Sequence, residues 1–196
     1  MENSYVSNNP CCYITISIKL MKITMNLPDL TPRLPGGGRD LTRHELRLLV
    51  AEIAADASAW EPLVRHDAEA RYYLRLHRDP TIDVWLICWT HQQDTGYHDH
   101  DVSAGAVHVC SGGLVEDRFE LCGGGLEQVT VARPAGTSFD FDASHVHRLR
   151  HPEGESPAVS IHAYSPALWR MGYYDTDELG RLRRTSVTYA DETQAA

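Results

Sequence analysis

The amino-acid sequence predicts a mainly β fold, an antiparallel β-barrel or jelly roll with a short N-terminal helical cover. Three observations predict it. From residue 70 onward, short runs of strand-forming residues are separated by turn clusters at roughly ten-residue spacing, among them Ser111-Gly112-Gly113, Arg133-Pro134-Ala135-Gly136 and His151-Pro152-Glu153-Gly154. The run from Ile82 to Trp89 is apolar except for Asp83, as expected of a strand buried on both faces. A helical period occurs where Thr42 and Glu45 can form a capping box ahead of Leu46, Leu49, Val50 and Ile53, and this helix is expected to cover one flank of the barrel.

At 196 residues the chain is sized for one domain with a substantial core. Residues 1–38 read as an extension and linker. The first 27 are rich in Asn and Ser, hold a vicinal cysteine pair, and include Met21 and Met25 as alternative starts. Pro32 to Gly38, with two prolines and three glycines, sustains neither regular structure. Residues 39–196 form the single domain. A formal charge of −9 and the lack of a basic stripe exclude a partner held by phosphate electrostatics, so no nucleic acid is expected. No run approaches the ~20 apolar residues that span a bilayer. The stretch Tyr13 to Ile23, broken by Lys19 and Lys22, is too mixed for a signal core. A cytoplasmic location without membrane partners is the expectation. Five irregularly spaced cysteines suit neither a structural zinc site nor a disulfide scaffold, and Cys88 reads as a small core residue.

The chemistry concentrates in Gly96-Tyr97-His98-Asp99-His100. Residues two apart on a strand face the same side, so His98 and His100 present two imidazoles to one point, the arrangement of a metal-ligand pair. The plainer alternative is a polar loop before a strand. A third ligand is needed, and His145, His147, His151 and His162 are the candidates. His145 and His147 share a strand face, so alternation does not choose between them. On the first strand, alternation puts Tyr73, Arg75 and His77 on one face and Tyr72, Leu74 and Leu76 on the other. Near the C-terminal end, Ser160, His162 and Tyr164 share a face opposite Val159, Ile161 and Ala163.

The spacing from His98 through Gly105 to Gly112 resembles the first motif of the cupin superfamily, with glycine where that motif commonly carries glutamate. From residue 70 to 166 the chain further resembles the thiol dioxygenases, and cysteine dioxygenase in particular. The matching pieces are Leu86-Ile87-Cys88-Trp89, His98-Asp99-His100, Gly112 with Leu114 and Glu116, His147-Arg148-Leu149, and Ser160-Ile161-His162-Ala163-Tyr164-Ser165-Pro166. The resemblance implies a cupin barrel with one Fe(II) per chain held by His98, His100 and His147, and O2 as co-substrate without 2-oxoglutarate. Three neutral imidazoles would leave the iron fully dicationic and suited to an anionic thiolate.

The resemblance also implies catalytic roles for Ser160, His162 and Tyr164 as a relay whose phenol reaches the substrate. In animal members that tyrosine is cross-linked to a cysteine, but the matching position here is Gly105, so no thioether is expected. Tyr73-Leu74-Arg75 resembles the family's Tyr-x-Arg substrate motif, which implies that Arg75, beside Tyr73, holds the substrate carboxylate by a bidentate pair. Related mercaptopropionate dioxygenases tend to carry glutamine there, so arginine favours cysteine. The implied function is oxidation of L-cysteine to cysteine sulfinate by a monomeric enzyme. The alternatives are a dioxygenase for another thiol carboxylate such as 3-mercaptopropionate, and a cupin that binds a metal or effector without turnover.

Overall fold

The computed structural model describes residues 27–34, 38–122, 125–178 and 181–189. The expected N-terminal extension and the glycines of the linker at 36–37 lie outside the described residues. Among the described residues one α-helix, α1 (Arg43–Ala55), and three single-turn 3-10 helices at Thr31–Arg33, Ala57–Ala59 and Glu61–Leu63 precede strands β1 (Tyr72–Arg78), β2 (Asp83–Trp89), β3 (Tyr97–Asp99), β4 (Ala104–Ser111), β5 (Gly113–Cys122), β6 (Gly125–Pro134), β7 (Ser138–Phe141), β8 (His147–Arg150), β9 (Ala158–Ser165), β10 (Arg170–Thr176) and β11 (Leu182–Tyr189). They form two antiparallel sheets, ordered β1-β2-β9-β4-β7 and β11-β10-β3-β8-β5-β6. The fold is mainly β, of the cupin jelly-roll class.

Alternation along β2 and β9 explains the layering. Trp85, Ile87 and Trp89 join Val107, Val109, Phe139 and Phe141 of the same sheet and Leu114 and Leu149 of the other, filling the space between the sheets. The opposite faces of the same strands, Val84, Leu86 and Cys88 with Val159, Ile161 and Ala163, pack against Leu46, Leu49, Val50 and Ile53 of α1. Both faces of β2 and β9 are therefore buried, and neither alternates between apolar and polar as a half-exposed strand does. Full burial of each large apolar side chain of α1 contributes about 1.5–3 kcal/mol, so the helix is part of the core and more than a cover.

The helix starts where its cap dictates. The Thr42 side chain accepts from the Glu45 backbone amide at 3.3 Å, and the Glu45 carboxylate accepts from the Thr42 amide at 2.8 Å. The first strand, expected over Arg71 to His77, runs from Tyr72 to Arg78, and β10 and β11 lie beyond the last segment that the sequence reading assigned. No helix among the described residues is long and apolar enough to cross a membrane.

Removing the cap gives a first prediction. Thr42→Ala should lower stability by about 0.5–2 kcal/mol in urea unfolding, because it leaves orphan amides at the helix start. Metal content of the folded protein should not change.

Candidate metal centre

Strand β3 is only three residues long and is gripped from both sides. His98 pairs across with His147 of β8, and with Tyr173 of β10 on the other edge. His100 follows β3 directly, before Asp101 turns the chain with a φ of 55°. Between them, Asp99 points away from the histidines. It accepts from Tyr174 Oη at 2.6 Å, the Asp101 amide at 2.9 Å, and the Gly172 amide and Arg184 at 3.1 Å. These bonds tie the turn to β10 and β11, so both imidazoles face the interior.

The structure brings His98, His100 and His147 together. Ring centroids are 4.8 Å apart for His98 and His100, 4.9 Å for His98 and His147, and 5.2 Å for His100 and His147. One nitrogen of each lies within 4.8 Å of the others. All three rings are buried. Burial, reinforced by His147, pushes His98 down to about 3; burial and His98 push His100 well below the usual range. Burial also lowers His147, partly offset by its bond to Glu116. Each is thus a neutral imidazole, the form that coordinates a metal.

The hydrogen bonds leave one nitrogen per ring for a metal. His98 Nδ1 lies 3.0 Å from the Gly96 carbonyl and donates to it, and His147 Nδ1 lies 2.9 Å from Glu116 Oε1 and donates there, so both rings turn Nε2 inward. Both nitrogens of His100 are buried without a partner, an orphaned state that a coordinated metal would relieve. This donor set fits a divalent metal that accepts imidazole, such as iron.

Glu116, buried on β5, organises the third histidine. Its Oε1 accepts from His147 and, at 3.1 Å, from His145 Nε2, while Oε2 accepts from Arg133 Nε at 3.1 Å. Burial alone would raise this carboxyl, but the bonds from His145, His147 and Arg133 hold it far below the usual carboxylate range. His145 precedes β8 and sits behind the trio, against Glu116. His147 thus joins His98 and His100, while His145 forms a second group with Glu116 and His147 whose ligand atoms also lie within 4.8 Å of one another. His151 bonds the Ser156 carbonyl at 2.9 Å, away from the centre.

Ser160, His162 and Tyr164 line up along the inner face of β9. Ser160 Oγ is 2.8 Å from His162 Nε2, and His162 Nδ1 is 3.2 Å from Tyr164 Oη. The chain begins one residue earlier than expected, since Trp89 Nε1 donates to Ser160 Oγ at 2.8 Å. Burial lowers His162 to about 3 and raises the Tyr164 phenol, so both are neutral. A cavity of about 50 Å³ opens beside His98, His147, His162 and Tyr164. Ile87, Leu149 and Met171 provide its apolar wall, and Arg71, Tyr73 and Tyr173 its polar rim.

The family model described as Cysteine dioxygenase type I matches residues 39–177. The chain belongs to the cysteine dioxygenase type I family. With that membership it is a thiol dioxygenase of the cupin superfamily. It is 21% identical to human cysteine dioxygenase type 1 over 159 residues, which cover 78% of each chain. Among solved structures it is similar to a protein from Thermus thermophilus, with a TM-score of 0.47, 19% identity, and coverage of 55% of this chain and 93% of that one. A second is an RmlC-like cupin protein from Desulfovibrio desulfuricans, with a TM-score of 0.42, 17% identity, and coverage of 53% and 90%.

Two features of the site bear on the expectations drawn from resemblance. At Gly105 a Cβ would lie 2.4 Å from the Phe141 ring and 3.1 Å from Tyr164 Cδ1. Phe141 fills that space and stacks on His100 with centroids 4.7 Å apart. Any side chain at Gly105 would displace the ring that backs a candidate ligand. The second feature is the surroundings of Arg75. Its Nε lies 3.1 Å from Asp83 Oδ1, its guanidinium stacks 4.3 Å above the Trp85 ring, and it does not line the cavity. Arg71 does line it, as do Met171 and Tyr173 of β10, none of which the sequence reading singled out. Alternation from Tyr73 pointed to Arg71, and the strand-like spacing of Met171 and Tyr173 was the missed signal.

Metal analysis tests the ligand set. His147→Ala should lose bound metal, whereas His145→Ala should keep it when purified identically; the reverse pattern would refute the assignment. Glu116→Gln should keep all three imidazoles but weaken metal affinity by about 10-fold to 100-fold in chelator competition, the usual effect of losing a carboxylate that orients a ligand histidine.

Proposed function

We propose that the protein is an iron-dependent cysteine dioxygenase that converts L-cysteine and O2 to cysteine sulfinate. Both oxygen atoms go to sulfur, so the reaction balances without an external reductant and without 2-oxoglutarate. The observation that carries this reading is one small cavity lined both by His98 and His147, two of three clustered buried histidines, and by His162 and Tyr164, the inner end of the Trp89-Ser160-His162-Tyr164 hydrogen-bonded line. Fe(II) held by His98, His100 and His147 would supply the undiminished positive charge that favours a thiolate and the redox chemistry for O2.

The protein's own groups do the rest. Trp89 donates to Ser160, leaving the Ser160 hydroxyl to donate to His162 Nε2. His162 then carries its proton on Nδ1 and donates to the Tyr164 oxygen. The Tyr164 hydroxyl proton is left to point into the cavity, where it can hydrogen-bond the reacting sulfur or oxygen. Ile87, Leu149 and Met171 exclude water from the reacting atoms. The volume holds roughly three to five water-sized groups, which suits a three-carbon thiol. Among the described residues no acidic side chain lines the cavity to read an ammonium, and this keeps 3-mercaptopropionate as a second reading.

Oxygen consumption by the Fe(II)-loaded protein with L-cysteine, 3-mercaptopropionate and cysteamine tests the proposal, with sulfinate formation as the product readout. No uptake with any of them would sink it. Tyr164→Phe keeps the packing and removes one donor, and should cost about 10²-fold to 10³-fold in kcat at unchanged iron content. His162→Ala acts through the same phenol, so the double variant should lose much less than the two single losses summed in free energy.

A further inference from the structure

Glu116 Oε1 is the meeting point of two histidines, of which His147 lines the reaction cavity and His145 does not. His147 Nδ1 lies 2.9 Å from this oxygen and His145 Nε2 lies 3.1 Å from it. The three atoms fall within 4.8 Å of one another, so they form a second cluster of metal-binding donors that shares His147 with the first. Two N–H groups converge on one carboxylate oxygen. The other oxygen, Oε2, is bonded by Arg133 Nε at 3.1 Å and approached by Arg118 Nη1 at 3.6 Å. Oε1 is therefore the oxygen left for a ligand.

The distances suit a small ion. Bonds of about 2.0–2.2 Å in a tetrahedral site set neighbouring donors about 3.3–3.6 Å apart, a few tenths of an ångström beyond the two spacings at Oε1. Slight retreat of the two rings would admit the ion. Access comes from outside the barrel, because the His145 side chain is 20% exposed and lines an open cavity of about 260 Å³ with Phe119, Asp142 and Ser144. That cavity offers a route in and a water for the fourth position. Asp142, which Arg43 approaches at 3.7 Å, adds a carboxylate to its wall.

The charges also balance. An entering divalent cation displaces the proton on His147 Nδ1, which leaves to solvent, while His145 moves its own proton to its Nδ1 and offers Nε2. Glu116 and the resulting His147 imidazolate then offset the double positive charge, and Arg133 keeps its bond to Oε2. His147 Nε2 stays turned toward His98 and His100.

We propose that Glu116, His145 and His147 form a second metal site, for a divalent cation that favours imidazole such as Zn2+, bridged to the first centre by the His147 ring. The assignment stands on its ligands and is independent of the dioxygenase reading. Metal counting on the full chain tests it. Protein stripped with a chelator is dialysed against Zn2+, and bound zinc per chain is compared for the wild type, His145→Gln, His98→Ala and His147→Ala.

Glutamine keeps a hydrogen-bond donor for Glu116 but offers no imidazole, so His145→Gln should fold as the wild type does and hold one Zn2+ fewer. His98→Ala should also hold one fewer, lost from the first centre. His147→Ala should lose both, as only a shared ligand can. Electron paramagnetic resonance of the wild type carrying Cu2+ at both sites gives a readout that needs no variant, since an imidazolate bridge couples the two spins. Equal zinc in His145→Gln and the wild type, loss of a single Zn2+ in His147→Ala, or two uncoupled copper signals overturns the shared site. So does a wild type that binds only one Zn2+.

Discussion

The register of β3 against its neighbours is the constraint on which the centre depends. Side chains alternate along a strand, so a slip of one residue would turn His98 and His100 outward and Asp99 inward. Three residues of strand supply little pairing energy against such a slip. Asp99 compensates, because its carboxylate meets a backbone amide and Tyr174 of β10 and a guanidinium of β11. Turned inward, it would lose all of them and bring a negative charge into a dry cavity. The same residue that separates the two histidines therefore fixes which way they point, and the C-terminal strands earn their place by holding it.

Charge placement divides the interior into satisfied and unsatisfied parts. Glu116 accepts from His145, His147 and Arg133, and Asp83 lies against Arg75 and Arg78, so each of these two buried carboxylates has an arginine and further donors within the fold. Breaking such a pair leaves an uncompensated charge, typically a cost of about 3–5 kcal/mol. Around the cavity the lining differs, with the rings of His98, His147 and His162 and no acidic side chain among the described residues. A cation held by His98, His100 and His147 would meet no negative charge from that lining, so an anionic ligand would have to supply it.

Much of this was legible in the sequence, for physical reasons that differ by element. The capping box at Thr42 and Glu45 and the doubly buried β2 were readable because each follows from local spacing alone. The histidine trio was readable because HxH spacing survives on a short strand, but the choice of His147 over His145 needed resemblance, since both offer nitrogens on the same side. The structure sets His147 beside His98 and His100 and gathers both histidines on Glu116, 29 and 31 positions away in the chain. The surroundings of Arg75 were not legible for a related reason: its motif is local, whereas Asp83 reaches it across the β1–β2 hairpin, and strand alternation carries no information about which cation a neighbouring acid meets. Tyr173 and Met171 were missed because β10 reaches the cavity only through tertiary pairing with β3.

Gly105 and Tyr164 show how packing bears on chemistry. The two residues are cross-strand partners on β4 and β9, so a side chain at Gly105 would stand beside the Tyr164 ring. The Phe141 ring takes that position and presses on His100, with its centroid 6.4 Å from Tyr164. A cysteine at Gly105 would have to evict Phe141 before its sulfur could approach the phenol, and eviction would loosen the support of His100. Orientation of Tyr164 must then come from another source. That source is the hydrogen-bonded line from Trp89 through Ser160 and His162, which fixes the phenol oxygen from one side while Phe141 and His100 confine the ring from the others. A tyrosine positioned in this way keeps its hydroxyl proton, its flat ring and its neutral charge, all without a covalent tether.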